Sequence, residues 1–593
     1  MMRKPLRPLA RVLRAREDGE DPSVIERENI RQRHEAMKDG ARLRAEGRLL
    51  ILCLFFMGAF GAVSGRMAVL AASEPQEPQS VHLGPQIVSS RADIVDRKGR
   101  LLATNFDTFS LYAQPPRMID KARAVSELSK IFPDIDVAKL QAQFEGKRKF
   151  IWIKKNISPE QKQAVHDIGD PGLQFGPREM RLYPNGAIAA HILGGASFGR
   201  EGVNSAEVVG VAGVEKHFDA HLRDPQLQQA PLQLSIDLSV QAAAEDVLLG
   251  GMKLLNAKGA SAVLMHAKTG EIVALASLPD FDPNLRPRPL VEGDQGDSPL
   301  FNRALQGVYE LGSTIKVFAV AQGLELGIEA PETMIDTKGP LKWGKHRIQD
   351  YRDYGPELSA HNVLVKSSNI GTARIAQLIG NDRQKSFLGD LGLLAPTQLE
   401  IVESKGAKPL WPSNWSEIST MTISYGHGIS TSPVHLAGAF ASMVNGGTLV
   451  RPTLLKQDTF LTGTRVISAA TSRDVRAMLR DVVVSGTASF GDVAGYHVGG
   501  KTGTADKPKP TGGYNDDKVV STFASMFPAH NPEYVLIVTL DEPTETSGEE
   551  TRRTAGWTAG PVAAEMIRRT APLLGLRPTV ETSALRSVTR VSD

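Results

Sequence analysis

Cysteine is almost absent: the 593 residues contain one, Cys53, and it lies inside an apolar run. No disulfide framework can form within the chain, and no cysteine-based metal site can be built. The 13 histidines are scattered without the HExxH spacing or a comparable cluster, so no metal and no other cofactor is expected. An excess of one charge is missing too. Lys and Arg number 69 against 66 Asp and Glu, a formal net charge of +3, and nothing global points to nucleic acid. No internal repeat is visible. A hydrophobic content of 41% and a charged content of 23% are ordinary for folded protein, and the length calls for two or more domains.

What is present begins with a long hydrophobic run. Residues 49–64 read LLILCLFFMGAFGAVS, and after Gly65-Arg66 the apolar character resumes as MAVLAA up to Ala72. Together they are long enough to cross the ~30 Å hydrocarbon core as a helix, with Arg66 snorkelling to the headgroups near its outer end. Before the run lie Arg3, Lys4, Arg7, Arg11, Arg14 and Arg16, then Arg42, Arg44 and Arg48. Such a basic flank keeps its side in the cytoplasm, so everything after Ala72 is expected to be exported. Ala71-Ala72 could end a cleaved signal peptide, but the apolar run exceeds the ~7–15 residues of a signal core. An uncleaved anchor at residues 49–72 behind an Arg-rich head at 1–48 is therefore expected.

A Pro/Gln/Glu-rich spacer follows at 73–86. RADIVDRKGRLLA, residues 91–103, alternates around Lys98-Gly99 as a hairpin does, residues 121–131 read as a helix, and 232–236 as a strand. SAVLMHAKTGEIVALAS, from Ser261, gives two apolar strands around a Lys-Thr-Gly turn. A Pro/Gly-rich loop at 280–299 precedes an almost wholly apolar helix pattern at 314–326. Long loops at 505–518 and 542–556 flank strand candidates at 519–527 and 534–539, and the polar tail beyond Leu574 is expected to be disordered. Strands, a helical middle, then strands again make an α+β domain closed by segments far apart in sequence.

Lys316 is the sharpest anomaly, since nearly every neighbour in STIKVFAVAQGLEL is apolar. A buried lysine needs a partner or a task, and desolvation lowers its pKa until it can act as a general base. Ser313, just after Gly312, stands at i−3, on the same face of a helix. A serine attacks a carbonyl at neutral pH only when a neighbouring base takes its proton. Alone, this Ser-x-x-Lys is more simply a helix cap beside a snorkelling lysine. Two further motifs change that: Ser367-Ser368-Asn369 in LVKSSNIG, and Lys501-Thr502-Gly503-Thr504 after YHVGG. Ser-x-x-Lys, a serine–asparagine motif and Lys-Thr-Gly, in that order, are shared by penicillin-binding proteins and class A β-lactamases. An earlier Lys-Thr-Gly at Lys268 precedes the serine and forms a strand turn, so Lys268 is read as structural.

On these motifs the chain resembles a class B penicillin-binding protein. The likeness extends over roughly residues 88–575, through RLYPNGAIAAHILGG (181–195), GVAGVEKHFD (210–219), LSIDLSVQ (234–241) and NRALQGVYELGSTIKVF (302–318). No glycosyltransferase domain appears upstream, which separates class B from the bifunctional class A. The resemblance implies an antiparallel sheet packed between helices, as in serine β-lactamases. It also implies an elongated mixed α/β pedestal at 73–230, a transpeptidase domain at 231–575 and a flexible tail at 576–593.

The resemblance further implies the chemistry. A D,D-transpeptidase of this kind uses Ser313 as nucleophile, Lys316 as its base, Ser367 as proton relay and Asn369 to orient substrate and lysine. Lys501, Thr502, Gly503 and Thr504 receive the donor's carboxylate. The expected partners are wall stem peptides ending in D-Ala-D-Ala, β-lactams, a SEDS-family (FtsW-like) glycosyltransferase, other division membrane proteins and the bacterial inner membrane. SYGHGISTSPVHLAGAFASMVNGG (424–447) and YVLIVTLDEP (534–543) look closer to the septal type than to the side-wall type. A D,D-carboxypeptidase and a β-lactam sensor are the remaining alternatives. Leu311 stands where proline is usual before the Gly-Ser, and His427 interrupts a Gly-rich turn, where it reads as a turn residue.

Overall fold

The computed structural model describes residues 7–72, 91–201, 206–226, 230–457, 463–509 and 512–579. The expected spacer and residues 580–593 of the expected tail lie outside the described residues. The chain divides into two compact units, residues 1–86 and 87–593.

In the first unit a short helix α1 (Arg7–Glu17) packs on a long helix α2 (Pro22–Ala72), burying Ala15 between them. Within α2, Glu46–Ala68 has a mean hydropathy of 1.9 and none of it is buried. Leu50, Phe55 and Phe60 point outward with no protein to cover them. Its 23 residues rise about 34 Å at 1.5 Å each, which matches the hydrocarbon core. The protein is anchored in a membrane by this segment, whose bounds fall a few residues before the expected 49–72.

The second unit opens with the expected hairpin. Strand β1 (Ile94–Val95) pairs antiparallel with β2 (Leu101–Ala113). Beyond the hairpin, β2 continues against β3 (Ile151–Ile157) and β4 (Leu173–Leu182). Helices α3 (Lys121–Ile131), α4 (Val137–Glu145) and α5 (Pro159–His166) pack on these strands around Leu128, Leu140, Phe144 and Ile157, a small core of their own. Asp120 and Asp136 cap α3 and α4, and Ser158 with Gln161 forms a capping box on α5.

The base of this region shares its core with the domain that follows. β1 runs parallel to β5 (Leu232–Gln233), and Ala92, Ile94, Leu102, Tyr183 and Leu193 belong to one continuous core with the residues of the large sheet. Arg100 bridges Asp96 and Asp237 across the same seam. Beneath it lies an ionic cluster. Arg91 donates to Glu215 at 2.7 Å and to Asp219 at 2.8 Å, and Arg181 donates to the other Glu215 oxygen at 2.7 Å. The side chains of Arg91 and Glu215 are both 0% exposed.

The large sheet has the order β10–β11–β12–β6–β7, antiparallel throughout. Its members are β6 (Gly259–His266), β7 (Ile272–Leu278), β10 (Gly499–Pro508), β11 (Tyr514–Phe527) and β12 (Tyr534–Asp541). A separate small hairpin, β8 (Leu341–Trp343) with β9 (His346–Ile348), stands apart from it. β7 and β12 are buried along their whole length because helices cover both faces. α6 (Leu238–Leu254) and the last helix α12 (Ala559–Leu573) lie on one side. α10 (Pro433–Val444) and α11 (Ala469–Val484) lie on the other. Between them in sequence run α7 (Lys316–Glu325), α8 (Ala360–Lys366) and α9 (Asn369–Ile379).

Two expectations fail. The loop expected at 505–518 is mostly strand: Ala505 pairs with Val520, Asp506 with Val519 and Pro508 with Tyr514. Backbone pairing needs no apolar side chains, and Lys507, held by Asp541 and Glu542, fastens the polar end of the hairpin. Residues 576–579, expected to begin a disordered tail, are held instead. The Leu576 amide bonds to Ala571, and the Thr579 amide to Gly495.

Removing one partner of a buried ion pair leaves a desolvated charge. Arg91→Ala should therefore destabilise the second unit by about 3–5 kcal/mol, measured by denaturant unfolding.

Candidate active site

Three chain segments meet at the edge strand β10. The first is the 3-10 turn Gly312–Ile315 that feeds α7. Gly312 has φ +57°, and a Cβ there would lie 2.7 Å from the Thr504 carbonyl oxygen. A Cβ on Gly503 would lie 2.1 Å from the Leu311 oxygen. Glycine at both positions lets the Ser313 turn lie directly on the strand. Ser313 is partly exposed, and among the described residues its hydroxyl makes no hydrogen bond. Lys316, the first residue of α7, is fully buried.

The second segment joins α8 to α9. Ser367 ends α8 in the left-handed region, φ +63° and ψ +42°, which is rare for a residue with a side chain. That twist turns both its carbonyl and its hydroxyl toward Lys316. The lysine Nζ donates to the Ser367 carbonyl oxygen at 2.5 Å, to Ser367 Oγ at 3.1 Å and to Asn369 Oδ1 at 2.7 Å. All three ammonium donors are thus directed at the serine–asparagine motif rather than at Ser313.

The third segment is β10 itself. Lys501 Nζ donates to Ser367 Oγ at 2.9 Å and to the Thr502 carbonyl at 3.1 Å. One serine hydroxyl therefore sits between two buried amines. Burial depresses the Lys316 pKa well below the usual lysine range, and the charge of Lys501 depresses it further while Asp350 opposes the shift. Burial alone pushes Lys501 down to about 7. Thr502 Oγ1 lies 2.8 Å from Thr487 Oγ1, and Thr504 Oγ1 accepts from the Ala555 amide at 3.0 Å, leaving its own proton to donate.

The structure thus brings together Lys316, Ser367, Asn369 and Lys501, with Ser313, Thr502, Gly503 and Thr504 beside them. Lys268 is exposed in the turn between β6 and β7, at the opposite edge of the sheet from β10. His427 occupies a turn between Gly426 and Gly428, both at positive φ, with Nδ1 3.5 Å from Glu310.

Sequence reasoning missed Asp350. Its Oδ2 accepts from the Ser368 hydroxyl at 2.7 Å, and its Oδ1 from the amides of Asn369 at 2.5 Å and Ile370 at 3.0 Å. Asn369 Nδ2 in turn donates to the Gln349 carbonyl at 2.8 Å. A carboxylate at the start of α9 thereby fixes the asparagine that holds Lys316. The one signal in the sequence is that Asp350 is a lone acid in the basic stretch KWGKHRIQDYR.

A buried pair of lysines around one hydroxyl, one 3-10 turn from a partly exposed serine, is an arrangement capable of serine acyl transfer. The comparisons show the family. A penicillin binding protein transpeptidase domain matches residues 260–567, and a penicillin-binding protein dimerisation domain matches residues 86–226. This chain belongs to the penicillin-binding protein transpeptidase family. It is 36% identical to the probable peptidoglycan D,D-transpeptidase FtsI of Caulobacter vibrioides, over 84% of this chain and 83% of the relative. Identity is 32% to the probable peptidoglycan D,D-transpeptidase PenA of Neisseria meningitidis, over 83% and 86%. It is 28% to the peptidoglycan D,D-transpeptidase FtsI of Escherichia coli, over 84% and 87%.

Asp350→Asn keeps the shape but loses the charge and one acceptor. Acylation by penicillin should slow about 10- to 100-fold, the worth of one charged hydrogen bond. Because Asp350 raises the proton affinity of Lys316, the acid limb of the pH–rate profile should also move to lower pH. Stopped-flow acylation across pH, with the melting temperature as a check on folding, measures both.

Proposed function

We propose that the protein is a membrane-anchored peptidoglycan D,D-transpeptidase that cross-links stem peptides at the division septum and is a target of β-lactams. The observation that carries this is the Ser367 hydroxyl held between the amines of Lys316 and Lys501, beside Ser313. The donor is a stem peptide ending in D-Ala-D-Ala. Ser313 Oγ attacks the penultimate carbonyl and passes its proton to neutral Lys316, which exchanges one of its present contacts for the serine. The backbone N–H groups of Ser313 and Thr504 stabilise the oxyanion, a device worth about 3–4 kcal/mol per donor.

Ser367 carries the proton from Lys316 to the departing D-alanine, and Asn369 keeps the lysine in place. Lys501, Thr502 and Thr504 receive the donor carboxylate, and Gly503 lets its backbone approach the strand. An amine of a neighbouring stem peptide then attacks the ester, forming the new C–N bond and releasing Ser313. A β-lactam follows the first half of this path and leaves a slowly hydrolysed ester on Ser313.

The septal assignment is supported by the name FtsI that the Caulobacter and Escherichia relatives carry. The basic residues preceding the apolar segment of α2 favour a cytoplasmic N-terminus, with the pedestal (73–230) and the transpeptidase domain (231–575) outside. Glycan strands would come from a SEDS-family (FtsW-like) glycosyltransferase within the division assembly, contacted through the membrane span and the pedestal.

Fluorescent penicillin should label Ser313 stoichiometrically, and intact mass with peptide mapping should find no label on Ser313→Ala. A labelled alanine variant would overturn the assignment. The acylation profile should be bell-shaped, rising as Lys316 loses its proton and falling as Lys501 loses its own near about 7. In Lys501→Met the alkaline limb should vanish. The acid limb should move to higher pH, since the cation that lowers the Lys316 pKa is gone.

A further inference from the structure

The β8–β9 hairpin is docked on the helix that begins with Asn369. Leu341 and Ile348, directly opposite one another, pack with Ile370 and Ala373 of α9 and with Met421. The alternation of strands therefore sends Lys342 and Arg347, also directly opposite one another, to the outer face. Like charges facing each other across a hairpin repel. Neither they nor Lys345 at the turn nor Lys338 nearby forms an ion pair among the described residues.

The local acids are engaged elsewhere. Asp350 faces Ser368, Asn369 and Ile370, Asp336 pairs with Arg374, and Asp353 accepts from the Gly355 amide. At the base of the hairpin opens a cleft of about 540 Å³ whose lining is mixed in charge, Lys338 and Arg352 standing with Asp350 and Asp353. Tyr351, just beyond the hairpin, is 94% exposed, while Trp343 lies on the same face as Leu341. A chain with a net charge of only +3 has here gathered unpaired cations on one small element. The path from it to the reactive centre is short: Gln349 holds Asn369, and Asn369 holds Lys316.

We propose that the outer face of the β8–β9 hairpin binds the second, acceptor strand of the wall polymer through the carboxylates of its stem peptides. The inference rests on the transpeptidase reading. The donor carboxylate is already provided for by Lys501, whereas the acceptor must reach the ester attached to a long polymer whose peptides repeat a free carboxylate. A basic face fixed to the Asn369 helix concentrates that polymer beside Ser313, and the exposed ring of Tyr351 suits the apolar faces of its sugars.

The test uses the full-length protein in detergent and, as probe, uncross-linked glycan strands that still carry their pentapeptides. Wild type should bind them with an affinity that falls as salt rises. The Lys342→Glu/Lys345→Glu/Arg347→Glu variant should bind about 10-fold or more weakly. Lys345→Glu alone, an exposed turn position that spares folding, should show about a 2- to 3-fold loss. Strands stripped of their peptides should bind no better to wild type than to the triple variant. Equal affinity of wild type and both variants for the intact strands overturns the inference, as does undiminished binding of stripped strands. It is also overturned if the variants lose only their binding to phosphatidylglycerol vesicles, which would make the face a membrane contact. Should wild-type Ser313 take no fluorescent penicillin, the transpeptidase reading itself fails, whatever the strands do.

Discussion

Two buried lysine amines converge on one hydroxyl, and the site is organised around that constraint. A buried ammonium is costly, and two of them on the same oxygen repel as well. Burial and the neighbouring cation together lower the proton affinity of Lys316, which suits it to the base role proposed for it. The apolar environment of α7 supplies the desolvation, and the edge strand delivers Lys501 from 185 positions later in the chain, as the numbering of Lys316 and Lys501 gives. The left-handed backbone of Ser367 presents both of its oxygens to Lys316 at once. Asp350 then secures that strained junction from behind, by bonding the hydroxyl and amides that follow it.

Ser313, the proposed nucleophile, is positioned by different means. It is clamped by backbone rather than by its own side chain. Gly312 and Gly503 bring the serine turn against β10, and a Cβ at Gly426 would lie 1.9 Å from the Gly312 oxygen on the other side. With no side chain between the layers, the amides of Ser313 and Thr504 belong to adjacent backbones, as a two-donor oxyanion site requires. Leu311 contributes from within. Proline there would preset φ, whereas Leu311 at φ −87° is 1% exposed and joins the main core, so burial does the fixing.

The chemistry was legible in the sequence because it is written in short motifs whose order survives folding. The motifs single out Ser313, Lys316, Ser367, Asn369 and Lys501, which the fold brings together, and they set the Lys268 copy aside on its order and its place in a strand turn. The periodic elements were legible too, down to the helix over 121–131 and the strand pair around Lys268. What escaped depends on tertiary contact. The 505–518 hairpin is polar because it runs past the core, so its pairing left no apolar alternation to read. Asp350 belongs to no motif and has meaning only once α9 lies behind it. The direction of the Lys316 amine was hidden for the same reason: spacing places it on the face of Ser313, but Ser367 and Asn369 claim its donors.

The pedestal adds a mechanical argument. Its outer strands and helices close around their own core, but its base does not. Ile94 and Leu102 pack in the same core as the catalytic sheet, and β1 is hydrogen-bonded to β5 at the entrance of α6. Further across, the Ala189 amide donates to Glu245 on α6, and Asn284 exchanges two hydrogen bonds with the backbone of Tyr183. Rotating the base against the sheet would expose apolar core and strand these buried partners, so the two must move together. Movement is cheaper one layer out, where the β2–β4 region meets its own small core instead. A pedestal built this way holds the catalytic sheet rigidly at one end and leaves its other end free to answer to whatever it meets.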